Sequence, residues 1–290
     1  SDVAPEVLLV FNQYVHGDID RRTFLARVGK FAIGTVTAAG LLGALSPRFA
    51  EAQQVPPMDA RLEARYVEYD SPKGHGKARG YLVRPAKVKG PLPLVLVVHE
   101  NRGLNPHIED VARRVALENF VALAPDALFP LGGYPGDEDR ARTLFQTLDQ
   151  PKAFEDFIAA THFLRAQPGT DDRLGVVGFC YGGAIANRLA VALPELAAAV
   201  PFYGSAPPLD DVGATKAELL LHFAANDERV NASGPPYEAA LKASGVKYTA
   251  HVYPNTQHGF HNDTTPRYDA EAAQLAWRRT VEMFNRALRS

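Results

Sequence analysis

Short runs of consecutive apolar residues recur along most of the chain. The most apolar of them, Leu92 to Val98, contains no charged side chain. A run of this length predicts a strand that is buried on both faces, as in a parallel sheet. We predict such strands at 92–99, 120–124, 173–179, 197–202 and 219–224.

Segments with other periodicities lie between and around these runs. Apolar residues recur at helical spacing from Ile108 to Ala116, which predicts a helix. Alternating patterns predict half-buried strands at 62–69, 78–84 and 247–253, the first two forming a hairpin. Further helices are predicted at 137–148, 152–166, 181–192, 235–244 and 270–288. Strands that alternate with helices predict an α/β fold, with a doubly wound, mostly parallel sheet flanked by helices.

The first 52 residues differ from the rest of the chain. A twin-arginine pattern, Asp20-Arg21-Arg22-Thr23-Phe24-Leu25, precedes an uncharged stretch at 31–47. Ala50 and Ala52 then supply the small residues that a signal peptidase reads. This order predicts an export signal at 1–52 that is read by the export machinery and cleaved after Ala52, followed by one folded domain at 53–290. The mature protein is then expected in the periplasm or outside the cell.

A second interpretation of the same segment stays open. Residues 1–52 would then be a retained N-terminal extension of a cytoplasmic protein. A segment that stays attached and ordered must pack on something, either the domain itself or a neighbouring subunit. The sequence leaves the formation of a homo-oligomer open.

The amino-acid composition excludes several classes of protein. The chain has 290 residues, of which 46% are hydrophobic and 22% charged, enough for a sizeable globular core. A net charge of −2 gives no electrostatic case for binding nucleic acid. Cys180 is the only cysteine, which excludes an intrachain disulfide framework and a thiolate zinc cluster.

The stretch Gly178-Phe179-Cys180-Tyr181-Gly182 stands between an apolar run and a helix of small residues. This pattern is typical of a nucleophile elbow, with Cys in the place that Ser usually holds. The flanking glycines fit positions where neighbouring backbone comes too close for a Cβ. The dipole of the following helix favours a thiolate at its start. The plainer interpretation is a small buried side chain, the commonest role of a lone cysteine.

A thiol nucleophile needs a base, and the base needs an orienting group. Asp227 follows the apolar run at 219–224, and His258 follows the alternating strand at 247–253. Cys180, Asp227 and His258 therefore occur in the order that α/β hydrolases use. His261 is the rival base and Glu228 the rival acid.

A second acid follows the most apolar strand. In Val98-His99-Glu100-Asn101-Arg102-Gly103, Glu100 stands where α/β hydrolases build part of an oxyanion hole. A carboxylate at that edge could take the proton of the thiol. Arg102 would pair with Glu100 or bind an anionic substrate, and the two residues could equally form a surface salt bridge.

These motifs together resemble the dienelactone hydrolase family, whose members are carboxymethylenebutenolidase-like α/β hydrolases. The resemblance covers roughly 61–288 and rests on the motifs around Glu100 and Cys180, on Asn226-Asp227 and on His258-Gly259-Phe260. It implies Cys180 as nucleophile, Asp227 and His258 as its triad partners, and Glu100 as the acceptor of the thiol proton when substrate binds. The oxyanion hole would map to the backbone N–H groups of Tyr181 and Asn101.

Two loops depart from the family pattern. Its members grip a substrate carboxylate with arginines in the loop after the fourth strand-like segment and soon after the triad histidine. The first loop reads Phe129-Pro130-Leu131-Gly132-Gly133-Tyr134 here, and Arg267 is expected to lie too far along the chain. We therefore expect a substrate other than dienelactone. The side chains expected to line the substrate pocket are Arg102, Tyr134, Phe179, Tyr203 and Phe260.

The sequence thus predicts a hydrolase that cleaves a small carboxylic ester or lactone through a thioester on Cys180. No metal or organic cofactor is expected. The alternative is a non-catalytic or thiol-redox protein that uses an exposed cysteine of low pKa on the same fold.

Overall fold

A computed structural model describes residues 3–31 and 37–289 of the chain. Within this part, eight strands form a sheet in the order β1-β2-β4-β3-β5-β6-β7-β8. The strands are β1 (Leu62–Ser71), β2 (Gly76–Pro85), β3 (Leu92–Val98), β4 (Val121–Pro125), β5 (Thr170–Phe179), β6 (Ala198–Phe202), β7 (Glu218–Asn226) and β8 (Tyr248–Gln257). The hairpin β1–β2 and the pair β2–β4 are antiparallel, and the other neighbours are parallel.

Helices cover both faces of the sheet and precede it in the chain. They are α1 (Pro5–His16), α2 (Arg21–Val28), α3 (Ala38–Leu45), α4 (Phe49–Ala52), α5 (Pro106–Leu117), α6 (Glu138–Gln146), α7 (Gln150–Arg165), α8 (Tyr181–Ala192), α9 (Glu228–Asn231), α10 (Gly234–Ala243) and α11 (Ala270–Leu288). The predicted α/β-hydrolase fold, with a mostly parallel sheet between helices, is confirmed.

The central strand β3 divides its side chains between two hydrophobic cores because successive residues point to opposite faces. Leu94 and Leu96 join the core beneath α7, α8 and α10. Val95 and Val97 join the core beneath α5 and α11. All seven residues of β3 are buried, which explains why this strand reads as an unbroken apolar run.

The N-terminal helices form a third, smaller hydrophobic cluster. Val7, Leu8, Phe11 and Tyr14 lie on one face of α1 and pack with residues of α2 and α3, among them Phe24. This segment packs on the domain, as expected for an extension that stays attached and ordered. Part of the uncharged stretch, 32–36, lies outside the described residues.

Among residues 3–31 and 37–289, no helix is both long and apolar enough to cross a bilayer. The longest helix of the N-terminal segment, α1, has twelve residues, and the uncharged helix α3 has eight. Export through residues 1–52, cleavage after Ala52 and the boundary between 52 and 53 stay predictions.

Candidate active site

The turn from β5 into α8 places Cys180 at a sharp bend. Cys180 has φ 56° and ψ −112°, a strained conformation for a residue with a side chain. A Cβ on Gly178 would lie 1.9 Å from the carbonyl oxygen of Gly182, and one on Gly182 would lie 2.2 Å from that of Val98. Only glycine fits these two positions, which is the close approach that the elbow pattern predicts.

His258 and Asp227 meet at the same edge of the sheet. Nδ1 of His258 donates a hydrogen bond of 2.5 Å to Oδ2 of Asp227, and both side chains are buried. Burial opposes charge on the imidazole, yet the neighbouring Cys180 sulfur and the Asp227 carboxylate raise the pKa of His258 to about 9. Burial likewise opposes charge on Asp227, but the hydrogen bond from His258 holds the pKa of Asp227 below its usual range.

The rival base and the rival acid lie elsewhere. His261 stacks on Phe179 with ring centres 5.1 Å apart, and burial lowers the pKa of His261 to about 3. Glu228 is exposed at the start of α9. The structure therefore brings Asp227 and His258 to Cys180, and leaves the other two outside the group.

Glu100 and Arg102 do not pair with each other. Oε2 of Glu100 accepts a hydrogen bond of 2.9 Å from Nδ2 of Asn262. Arg102 lies 3.6 Å from the carboxylate of Glu138 instead. The pairing of Arg102 with Glu100 that the sequence suggested is thus wrong, because α6 brings a closer acid. Asn262 has no motif that would have marked it beforehand.

The loop after β3 is held from below by a buried histidine. Nδ1 of His99 donates to the carbonyl of Glu100 at 2.6 Å, and Nε2 of His99 accepts from the N–H of Ala127 at 3.2 Å. Burial lowers the pKa of His99, so the ring stays neutral and can both donate and accept. This arrangement fixes Glu100 and Asn101 at the edge of the site. Tyr181 opens α8, and the N–H groups of a helix's first turn lack acceptors within the helix.

The N-terminal segment delivers a side chain that the sequence did not mark as functional. Nε2 of His16, the last residue of α1, lies 3.1 Å from Nε2 of His258 and 3.7 Å from Sγ of Cys180. Burial, followed by the charge of His258, lowers the pKa of His16 to about 2, so this imidazole is neutral. An extension that resembles an export signal therefore reaches the candidate nucleophile.

Polar contacts fix the end of α1 over the site. The carbonyl oxygen of Val15 accepts from Nδ2 of Asn101 at 3.0 Å and from Nη2 of Arg102 at 3.1 Å. These donors satisfy a carbonyl that a helix C-terminus leaves open, and the positive charge of Arg102 suits the negative end of the helix dipole. Gly17 then turns the chain with φ 83°. As a result Cys180 is 8% exposed and His258 is 2% exposed.

A cavity of about 450 Å³ lies between the N-terminal helices and the domain; it reaches the loop of Glu100, but Cys180, Asp227 and His258 are not part of its lining. Its polar lining includes Glu100, Asn101, Arg102, Tyr134 and Arg267. A volume of this size suits a small ligand. Two of the five side chains predicted to line the pocket, Arg102 and Tyr134, do line this cavity.

The prediction for the other three side chains needs correction. Phe179, Tyr203 and Phe260 are at most 1% exposed and do not line the cavity. Phe179 faces the sheet core, and the rings of Tyr203 and Phe260 pack together with centres 5.6 Å apart. Tyr203 also packs on the ring of His258 at 4.9 Å, so these aromatic residues support the site from below.

The expectation that Arg267 lies out of reach is also wrong. The loop after His258 folds back on itself, with the N–H of Asp269 bonded to the carbonyl of Phe260 at 3.0 Å. This turn brings the guanidinium of Arg267 against Gly259 and into the lining of the cavity. Two arginines, Arg102 and Arg267, thus line this cavity, and the guanidinium of Arg267 packs against Gly259, the residue after His258.

Comparison with known proteins places these features in context. A family model described as "Dienelactone hydrolase family" matches residues 78–288, and one described as "YqhI-like" matches residues 1–30. A protein of Escherichia coli (strain K12) named "Putative carboxymethylenebutenolidase" is 32% identical over 267 residues, which cover 87% of this chain and 97% of that protein.

Two further relatives cover different shares of the chain. The "Putative hydrolase fragment YghX" of Escherichia coli (strain K12) is 56% identical over 114 residues, covering 39% of this chain and 97% of that protein. A crystal structure titled as a putative dienelactone hydrolase from Klebsiella pneumoniae subsp. pneumoniae MGH 78578 is similar with a TM-score of 0.68 and 30% identity, covering 77% of this chain and 98% of that one.

Proposed function

Because the chain belongs to the dienelactone hydrolase family and is a carboxylic ester hydrolase, we propose that it cleaves a small ester or lactone with Cys180 as nucleophile. The observation that carries the proposal is the geometry at His258: its side chain has a ring nitrogen within 4.8 Å of Sγ of Cys180, and its Nδ1 is hydrogen-bonded to Asp227. A base held by a buried acid, beside a sulfur on a strained elbow, is the arrangement that nucleophilic catalysis requires.

The reaction is proposed in two steps. The proton of the thiol passes to His258, and Sγ of Cys180 bonds to the carbonyl carbon of the substrate. The ester C–O bond then breaks, and the leaving oxygen takes the proton from His258, which leaves a thioester on Cys180. Water attacks that thioester while His258 accepts its proton; the C–S bond then breaks, His258 returns the proton to Sγ, and the acid departs from the regenerated Cys180.

The proposed roles of the other site residues follow from where they lie around Cys180. The backbone N–H groups of Tyr181 and Asn101 are proposed to receive the charge on the carbonyl oxygen, where one donor is typically worth about 3 kcal/mol. Glu100, oriented by Asn262, is the second candidate acceptor for the thiol proton. The acyl portion of the substrate would lie in the cavity lined by Arg102, Tyr134 and Arg267.

The test uses an activated acetate ester and mass spectrometry of the intact chain. We expect a transient gain of one acetyl group, which peptide mapping places on Cys180. Cys180→Ala should lose turnover by about 10³-fold or more. His162→Gln, an exposed substitution on α7, is the matched control and should match wild type.

Two results would contradict the proposal. If Cys180→Ala kept full turnover, Cys180 would not be the nucleophile. Absence of any acyl adduct, together with oxidation of Cys180 to a sulfenic acid by peroxide and no ester turnover, would favour the thiol-redox alternative.

A further inference from the structure

We propose that Cys180, His16 and His258 form a three-ligand binding site for a divalent metal ion, with Zn²⁺ as the best match. This inference goes beyond the proposed function and does not depend on it, because it concerns an equilibrium binding property of the same atoms. It also differs from the sequence analysis, which expected no metal at this site.

The spacing of the three ligand atoms fits a tetrahedral ion. Sγ of Cys180, Nε2 of His16 and Nε2 of His258 all lie within 4.8 Å of one another. Zinc binds nitrogen at about 2.0–2.1 Å and sulfur at about 2.3 Å, so tetrahedral geometry separates the ligand atoms by about 3.3–3.6 Å. The observed separations, 3.1 Å between the two nitrogens and 3.7 Å between His16 and the sulfur, are close to these values.

The other ring nitrogen of each histidine is already occupied by an acceptor. Nδ1 of His16 donates to the backbone carbonyl of Asn12 at 2.7 Å. Nδ1 of His258 donates to the carboxylate of Asp227 at 2.5 Å. Carbonyl and carboxylate partners of this kind orient histidines that bind metals and direct the lone pair of Nε2 outward. Nε2 of both rings here faces the space beside Cys180, and Nε2 of His258 would release its proton when the ion binds.

The donor set selects the class of ion. One thiolate and two imidazoles suit Zn²⁺, whereas Mg²⁺ and Ca²⁺ prefer oxygen ligands. Three protein ligands leave a fourth position for water or an anion. The candidate site is also enclosed, since Cys180 and His258 are nearly fully buried, and the acid Asp227 offsets part of the charge of the ion.

The site would join three separate parts of the chain. His16 lies at the end of α1, Cys180 at the elbow, and His258 in the loop after β8. An ion held by all three would fasten the N-terminal segment to the domain. It would also engage the sulfur, so that the thiol could no longer attack an ester. We therefore expect Zn²⁺ to inhibit ester turnover and a chelator to restore it.

The experiment is a titration of the full chain, freed of metal with a chelator, with Co²⁺ as a spectroscopic substitute and Zn²⁺ as competitor. We expect one Co²⁺ per chain, a sulfur-to-cobalt charge-transfer band in the near ultraviolet, and the visible bands of a four-coordinate ion. One equivalent of Zn²⁺ should remove these signals.

Three variants make the assignment specific. His16→Gln should weaken Zn²⁺ binding at least tenfold, because loss of a ligand costs no less than the loss of its outer partner. Cys180→Ser should abolish the charge-transfer band. His162→Gln, which removes an exposed histidine on α7, should bind as wild type does.

The proposal is overturned if wild type shows no charge-transfer band, or if His16→Gln binds Zn²⁺ as tightly as wild type. Circular dichroism of each variant checks that the fold persists. Because binding is read from the metal spectrum, an inactive wild type that binds Co²⁺ would contradict the proposed function and leave the metal site supported. An active enzyme without the charge-transfer band would contradict the metal site and leave the proposed function supported.

Discussion

At the scale of single residues, the role of Glu100 can be tested with one conservative substitution. Glu100 faces the cavity, and Asn262 orients its carboxylate from the loop after His258. Glu100→Gln keeps the shape and removes the capacity to take a proton. We expect acylation of Cys180 to slow by about 10²-fold, the usual range for loss of a proton acceptor. The burst phase with an activated ester measures this rate.

The control for Glu100→Gln is Glu118→Gln, which removes an exposed carboxylate after α5. That variant should acylate like wild type. Equal burst rates for Glu100→Gln and wild type would leave His258 as the sole acceptor of the thiol proton.

Sequence pattern identified some of these residues and missed others for physical reasons. Cys180, Asp227 and His258 each follow a strand, so their order along the chain and the parallel sheet together predicted their proximity. His16 belongs to a helix that precedes the sheet, and no periodicity states where that helix docks. Arg267 was misplaced because a loop that folds back on itself has no signature in apolar spacing.

At the scale of elements, the elbow depends on close backbone contact between β5, α8 and β3. A Cβ on Gly182 would lie 2.2 Å from the carbonyl oxygen of Val98 and 2.7 Å from that of His99. Backbone atoms in a sheet cannot yield as a flexible side chain can. Gly182→Ala should therefore destabilise the protein by about 4 kcal/mol or more, in the exceptional range for one substitution.

Urea denaturation followed by circular dichroism measures this free energy of unfolding. Gly213→Ala is the matched control, since a Cβ there would have its nearest neighbour at 3.6 Å. If both variants unfolded at the same urea concentration, the packing argument for the elbow would fail.

The loop after β8 is fastened to α5 by Asp263. Its carboxylate lies 3.2 Å from His107 and 2.6 Å from Arg114. Burial opposes the charge, but these two partners hold the pKa of Asp263 well below its usual range. A depressed pKa contributes stability above the ordinary carboxyl range, near pH 4, and that contribution is lost as the pH falls further.

Asp263→Asn should therefore lower the free energy of unfolding by about 1–3 kcal/mol at pH 7. The difference from wild type should shrink as the pH falls below about 4. In that range the carboxyl of the unfolded wild-type chain takes up a proton before the folded one does, which stabilises the unfolded state. Urea titrations at several pH values measure it, with Asp210→Asn, which removes an exposed acid, as the control. A difference that stayed constant with pH would contradict the role of the charge.

Most helices and strands were predictable from the sequence. Some of their observed end points differ from the predicted ones, and these differences show which features an apolar pattern does not report. The spacing predicted the elbow helix at 181–192 and the closing helix at 270–288, which are the observed bounds of α8 and α11. β8 extends to Gln257, beyond the predicted end at 253, because its pairing with β7 shifts register near Ala224 and continues to Asn226. Irregular pairing of this kind leaves no alternation to detect.

At the scale of the whole molecule, two hydrophobic assemblies meet through polar contacts. The cluster of α1, α2 and α3 is separate from the two cores of the sheet. Its links to the domain include Val15 with Asn101 and Arg102, Asn12 with Arg267, and an exposed pair between Arg21 and Asp139. The exposed pair contributes little, and the few part-buried hydrogen bonds hold less surface together than the continuous apolar cores of the sheet.

This division of the molecule bears on the predicted export signal. The arginine pair opens α2, capped by Asp20, and the same segment supplies His16. Removal of residues 1–52, as the sequence predicts for an exported form, would take away α1 and with it one ligand of the proposed metal site. The cleaved form would keep Cys180, Asp227 and His258 and lose the side chain that now covers them.

The same division predicts how the chain opens. Amides of α1 and α2 should exchange with solvent through a local opening, whereas those of β3 should exchange only on global unfolding. We expect protection factors at least tenfold lower in α1 than in β3, measured by hydrogen exchange in low urea. Such a local opening would uncover Cys180 without disturbing the sheet. Equal protection in α1 and β3, with the same dependence on urea, would mean that the N-terminal helices are one cooperative unit with the domain.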